Sequence, residues 1–209
     1  MAPTDSDRPD GPTDEPSGSD STLDEIRAGF RANDYDERDR AKHRLWGWLG
    51  GAGTEALIAA LSDDSNRIAN AAAKSLSKRG AAEAVPELVR QVARPERCIA
   101  ADIVQYPYAE ASDLRHDEMA LALVELDDPA AVDPLIEALQ ETGHEWVAWE
   151  IAWVLAELGE PRALPAVESV LEEIRAWDGT GWRYRTLVRD LERADARLRE
   201  AANPEDEGS

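Results

Sequence analysis

Four apolar segments recur along the chain, and this recurrence limits the fold more than any other feature. The segments are TEALIAAL, EAVPELVRQV, AAVDPLIEAL and RALPAVESVL, and each follows another stretch with apolar residues at helical spacing. Their aligned apolar positions are separated by 31, 47 and 32 residues: Leu57, Leu88, Leu135 and Val167. A two-helix unit of this length buries its apolar face only against neighbouring units. The sequence therefore predicts an all-α solenoid of about four helix pairs.

The predicted solenoid covers residues 21–202 and is flanked by two short tails. Residues 1–20 contain four prolines and five aspartates and little to bury, so they are expected to form a disordered acidic tail, as are residues 203–209. The longer middle spacing predicts an insertion near residues 94–112. A C-terminal capping helix is predicted near residues 183–202, because apolar residues share one face there. These residues are Leu187, Leu191, Ala194 and Leu198.

The segments LAELGEPRALPAV and LVELDDPAAVDPLIEAL resemble HEAT repeats, particularly the short type found in phycobilin lyases. The resemblance covers roughly residues 35 to 176 and places Pro129 and Pro161 at the first turn of a second helix, after Gly159 has closed a first helix. It implies an armadillo-like, right-handed α-α superhelix. It also implies a non-catalytic scaffold that binds a protein or peptide. A lyase-like or chaperone-like factor acting on a cofactor-bearing protein is the alternative.

The charge of the chain limits its partners. It has 44 acidic and 23 basic residues, and the formal net charge of −21 repels phosphate backbones, which argues against nucleic-acid binding. Only three of the basic residues are lysines. This composition resembles that of proteins from salt-in halophiles, where molar salt shortens the Debye length to about 3 Å and screens the repulsion among carboxylates.

Cysteine content and hydropathy bear on the cellular compartment. The lone cysteine, Cys98, excludes an internal disulfide and fits a reducing cytoplasm. The N-terminus lacks the basic start and apolar core of a signal peptide. No apolar run approaches the roughly 20 residues that a membrane span requires. We therefore expect a soluble cytoplasmic protein, and the sequence leaves its oligomeric state open.

The pair His144 and Glu145 invites comparison with the di-iron hydroxylases among HEAT-repeat proteins. In those enzymes His-Glu pairs recur at one register of the first helix, which corresponds here to Trp149 and Glu150, so the histidine is missing. Thr142 and Glu145 instead fit a capping box at a helix start. The three histidines lie in separate units: His43, His116 and His144. We therefore expect neither metal nor cofactor, and a metal-dependent hydroxylase is the least favoured alternative.

Tryptophans supply the main candidate for partner binding. Trp149 corresponds to Asn70 and Asp117 in the other units, and two polar equivalents predict that this position faces water. The equivalents of Trp146 and Trp153 are mixed, so burial between helices and partner contact both stay open for them. An indole offers about 150 to 250 Å² of surface, worth at most roughly 4 to 6 kcal/mol when covered. Five other aromatic residues are expected to cap the ends of the stack: Trp46, Trp48, Trp177, Trp182 and Tyr184.

Acidic residues form the second part of the predicted binding surface. Four of them point away from the leucine stripe of the second helices, which line the concave face of a HEAT array: Asp133, Glu137, Glu168 and Glu172. A basic partner fits this face, and simple solvation of the carboxylates is the alternative. Asp117 and Glu150 on the first helices complete the predicted set, although carboxylates at such positions are also expected by chance in so acidic a chain.

Overall fold

The structure of the protein is a computed structural model. It describes residues 18–95, 117–176, 179 and 181–203, with the backbone alone for residues 18–21, 182 and 183. Most of the predicted N-terminal tail, most of the predicted insertion and residues 204–209 lie outside this part of the chain. The chain divides after Gly51 into two compact units.

The N-terminal unit is a pair of helices, α1 (Gly18–Arg31) and α2 (Tyr35–Gly51). Leucine and isoleucine side chains of α1 are buried with Ala41 and Leu45 of α2. A Cβ atom at Gly29 would lie only 2.7 Å from Cβ of Ala41. The two helices can therefore approach closely at this point because glycine has no side chain. Helix α1 begins at Gly18, within the segment predicted to be a disordered tail.

The second unit contains eight helices in its described part. They are α3 (Thr54–Ala60), α4 (Asn66–Arg79), α5 (Val85–Val92), α6 (Glu118–Leu126), α7 (Val132–Glu141), α8 (Glu145–Glu157), α9 (Leu164–Arg175) and α10 (Trp182–Ala202). The first helices α4, α6 and α8 contact one another in order, and each is followed by a second helix, α5, α7 or α9. No strand occurs among the described residues, and the predicted all-α solenoid is confirmed.

Each first helix ends in a left-handed residue that turns the chain toward the second helix. Gly80 and Gly159 both have φ of 64°, and Asp127 takes the same role with φ of 49°. A 3₁₀ turn follows in every repeat, and Pro129 and Pro161 open this turn in the last two repeats. This turn runs directly into the second α-helix, so the two prolines do lie in the first turn of the second helical segment, where a missing N–H costs no hydrogen bond, and the α-helix itself begins three residues later.

The predicted register of the repeats is visible in the core. The four aligned positions are all fully buried: Leu57, Leu88, Leu135 and Val167. Helix α10 packs against α8 and α9, and it buries the apolar face recognised in the sequence: Leu187, Leu191, Ala194 and Leu198. The last repeat is thus covered on the side where another repeat would otherwise stack. Within the described part of the chain, no helix has the length and apolarity needed to cross a bilayer.

Candidate interaction surface

Helix α8 carries the three tryptophans predicted to bind a partner, and two of them are buried. Trp149 is 4% exposed and Trp146 is 6% exposed, and their rings meet edge to face with centroids 6.0 Å apart. Trp153 is half-buried. The expectation that Trp149 faces water is therefore wrong, and the two buried indoles belong to the core of the last repeat.

The neighbours of α8 explain this burial. Asn70 is the equivalent residue in α4, and its side-chain amide lies beside the next first helix. With the amide nitrogen turned toward Asp117, Asn70 donates a hydrogen bond to Asp117 Oδ1 at 3.2 Å. In the row of first helices, the position that α6 has beside α4 is taken beside α8 by α10. Helix α8 has a more extensive contact with α10 than with α6. The position that holds the partly buried Asn70 in α4 thus holds a buried indole in the last repeat.

The predicted site residues Asp117 and Glu150 both accept hydrogen bonds from the backbone at the start of α6. Asp117 is the N-cap of α6, and its side chain accepts a hydrogen bond from the N–H of Met119 at 3.2 Å. Glu150 of α8 is 6% exposed, and its Oε1 accepts from the N–H of Asp117 at 2.9 Å. Both carboxylates therefore satisfy backbone donors at the positive end of α6. The predicted placement of Glu150 on an exposed partner-binding surface is therefore wrong, whereas Asp117 is half-buried.

The four acidic residues predicted on the second helices do reach the surface. Asp133 and Glu137 on α7 and Glu172 on α9 are exposed, and Glu168 on α9 is partly exposed. Helices α7 and α9 contact each other, so these carboxylates lie on adjacent second helices of the last two repeats. We call Asp133, Glu137, Glu168 and Glu172 the acidic surface.

Two members of the acidic surface are paired with arginines of the same unit. Asp133 lies 2.8 Å from Arg162, which precedes α9, and Glu168 pairs with Arg199 of α10. In the described part of the chain, Glu137 and Glu172 have no ion pair. The two carboxylates that are open to a cationic partner are therefore Glu137 and Glu172.

A polar cluster between two repeats has a different role. Ser62 Oγ and Gln91 Nε2 donate to Glu87 Oε1 at 2.7 and 2.6 Å, and Gln91 is 1% exposed. Burial alone would raise the pKa of Glu87, but the hydrogen bonds from Ser62, Arg90 and Gln91 outweigh it, so this pKa lies below its ordinary value. The cluster joins α5 to the loop before α4 and leaves little carboxylate surface for a ligand.

The two histidines that the structure describes, His43 and His144, lie in different units. His144 is the N-cap of α8, and its N–H donates to Thr142 Oγ1 at 3.3 Å, so the predicted capping box from Thr142 to Glu145 is wrong. His43 lies on α2, and His116 is outside the described residues. Over residues 18–95, 117–176 and 181–203, no three His, Cys, Asp or Glu side chains lie close enough together to hold a metal ion.

The aromatic residues expected to cap the stack have different environments. Trp46 is 55% exposed on α2, and an exposed ring does not seal a stack, so that expectation is wrong for Trp46. Trp48 is half-buried, and the Tyr184 hydroxyl donates to the carbonyl of Arg175 at 3.4 Å. Trp177 and the side chain of Trp182 lie outside the described part. Internal comparison could not have found the exposure of Trp46, because its segment has no well-aligned counterpart.

The N-terminal unit has a shallow cleft of about 300 Å³ between α1 and α2. Its charged lining is internally balanced, since Arg44 pairs with Glu25 at 3.2 Å and Arg40 donates to the carbonyl of Asp36. The cleft therefore gives no indication of the charge of a ligand.

Comparison with known proteins supports the repeat type. No curated protein matches the chain. Among similar solved structures is the crystal structure of an engineered protein, a target of the Northeast Structural Genomics Consortium, with 17% sequence identity, coverage of 88% of this chain and 84% of that chain, and a TM-score of 0.37. Residues 110–180 match the family model described as HEAT repeats, and this match supports a HEAT-repeat protein.

Proposed function

We propose that the protein is a non-catalytic HEAT-repeat scaffold that binds a basic segment of a partner protein on its acidic surface. The observation that carries this proposal is the exposure of Glu137 and Glu172 on two contacting second helices, without ion pairs in the described part of the chain. Stacked repeats present such extended surfaces, and repeat proteins use them for binding.

The charge of the molecule supports a basic partner. A formal net charge of −21 attracts cationic segments and raises their association rate, and the exposed carboxylates of α7 and α9 supply local contacts. The same charge disfavours nucleic acid. Arg162 and Arg199 pair with Asp133 and Glu168, so the acidic surface combines two paired carboxylates with two that are open.

A binding assay with matched variants tests the proposal. We would measure binding of a labelled Arg- and Lys-rich peptide to the wild type, to Glu137→Gln/Glu172→Gln and to Glu83→Gln/Glu200→Gln. The control removes the same number of exposed carboxylates from a turn and from the end of α10. The proposal predicts at least about threefold weaker binding for the first variant only, since each lost contact to a charged group is worth up to about 1 kcal/mol.

The opposite results are equally informative. Equal weakening by both variants would show that the peptide responds only to net charge and would contradict a defined acidic surface. The wild type and the two variants would then serve as baits in native lysate. Specific recovery of a cofactor-bearing protein, with the same affinity for both variants, would favour the lyase-like or chaperone-like alternative.

A further inference from the structure

Trp46 lies on the exposed side of α2 together with two basic side chains. Trp46 is 55% exposed. Among the described residues, Tyr35 is the only other large apolar residue that is exposed. Lys42 Nζ lies 5.0 Å from the centroid of the Trp46 ring, and the ring of His43 meets that indole edge-on with centroids 5.3 Å apart. Lys42 precedes Trp46 by one helical turn, which is the spacing at which side chains on a helix meet. The indole is thus held in an ordered cluster on an exposed face.

The charges around this indole differ from those of the rest of the chain. Residues 40–54 contain no acidic residue, although the chain has 44, and they include Arg40, Lys42 and Arg44. Lys42 has no carboxylate partner in the described part of the protein. The carboxylate of Asp39, which shares this face, lies 3.4 Å from His43 Nδ1. Asp39 thus lies beside His43, whereas the ammonium beside the indole, that of Lys42, would gain an ion pair from an anionic ligand.

The backbone beside Trp46 is open. A Cβ atom at Gly47 or Gly50 would have no neighbouring atom within 4 Å, so a ligand can approach the helix backbone next to the indole. The core side of α2 is separate, since Ala41 and Leu45 are the buried residues there. We call Lys42, His43, Trp46, Gly47 and Gly50 the Trp46 face.

We infer that the Trp46 face binds a short acidic peptide segment of a partner protein. An apolar side chain of the segment covers the indole, and its carboxylates lie beside Lys42. One indole offers about 150 to 250 Å² of surface, well below the roughly 800 Å² per partner of a standard protein interface, so the occupant is a short segment and not a folded surface. This inference is independent of the acidic surface, which lies in the other unit and carries the opposite charge.

Titration of ¹⁵N-labelled full-length protein tests the inference. The probe is a synthetic peptide of Asp and Glu around a central Leu-Pro pair, and a peptide with Lys in place of each acid is its control. The indole N–H signal of Trp46, identified among the seven tryptophans by its loss in Trp46→Phe, is expected to shift with the acidic peptide only. We expect Trp46→Ala to weaken binding by about tenfold or more, as loss of an interface anchor does.

Two further variants define the site. Lys42→Gln is expected to weaken binding by about threefold because it removes an exposed ion pair without removing the aromatic surface. Tyr35→Ala removes the other exposed aromatic residue of α2, which is adjacent to Asp36, and is expected to leave binding unchanged. Circular dichroism of each variant verifies that α2 is intact.

Several results would overturn the inference. They are no shift of the Trp46 signal with the acidic peptide, a larger shift with the Lys peptide, or equal weakening by Tyr35→Ala. A shift that depends on protein concentration without peptide would assign the face to a second copy of the chain. A shift produced by deleting residues 1–17 would assign it to the acidic N-terminus of the chain itself.

Discussion

The carboxylate of Glu150 accepts a hydrogen bond from the backbone N–H of Asp117 at 2.9 Å, and this bond joins two neighbouring first helices of the solenoid. The two residues are 33 positions apart. The bond satisfies the N–H of Asp117 at the start of α6, and the side chain of Asp117 in turn accepts from the N–H of Met119. Glu150, which resembles a surface charge in the sequence, therefore contributes to the contact between two repeats.

Replacing Glu150 with Ala is expected to destabilise the protein by about 1 to 3 kcal/mol, because it removes the acceptor of a partly buried backbone donor at the start of α6. Glu150→Gln keeps an acceptor oxygen and should lose less. Urea denaturation followed by circular dichroism measures both. Glu137→Ala, at an exposed position, is the control and should change stability by less than about 0.5 kcal/mol.

Trp149→Ala is expected to lower the free energy of unfolding by about 3 to 5 kcal/mol, the usual effect of deleting a buried aromatic side chain. Trp46→Ala is the matched comparison, since its indole is exposed and its loss should have little effect on stability. Thermal and urea denaturation of the two variants measure the difference. Similar stabilities would show that the indole of Trp149 is not part of the core.

The repeats themselves could be predicted from the sequence. Leu57, Leu88 and Leu135 mark the same buried position in successive second helices because each repeat meets the same kind of neighbour on its core side. Apolar spacing reports this side directly, since burial there depends on residues within one helix and its partner. The all-α solenoid therefore followed from periodicity alone.

The flanks of the repeats could not be predicted in the same way. The polar residues Asn70 and Asp117 predicted a solvent-exposed position for Trp149. That prediction required equivalent helices to have equivalent neighbours. In the row of first helices, the helix next to α8 is α10, a 21-residue helix that is not part of a repeat. The neighbours of α8 therefore differ from those of α4 and α6. The contact between Glu150 and Asp117 likewise depends on how two helices are placed, which no local pattern contains.

The polar cluster of Ser62, Glu87 and Gln91 predicts a pH dependence of stability. The pKa of Glu87 is lowered in the folded protein, so its carboxylate is stabilised by folding. This contribution is fully present above the unfolded pKa of 4.5 and is lost as the pH falls through the lower folded pKa. Unfolding free energies measured from pH 7 down to pH 3 should therefore fall more steeply for the wild type than for Glu87→Gln. Parallel pH profiles would contradict the assignment.

The excess of carboxylates predicts that salt stabilises the fold. A net charge of −21 repels itself in the compact state, and raising KCl from 0.1 M to 1 M shortens the Debye length from about 10 to about 3 Å. The thermal midpoint of the wild type should rise over this range. The rise should be smaller in a variant with six exposed acids changed to Gln: Glu55, Glu83, Glu137, Glu141, Glu172 and Glu173. Equal rises in both proteins would mean that salt acts through apolar burial and not through charge screening.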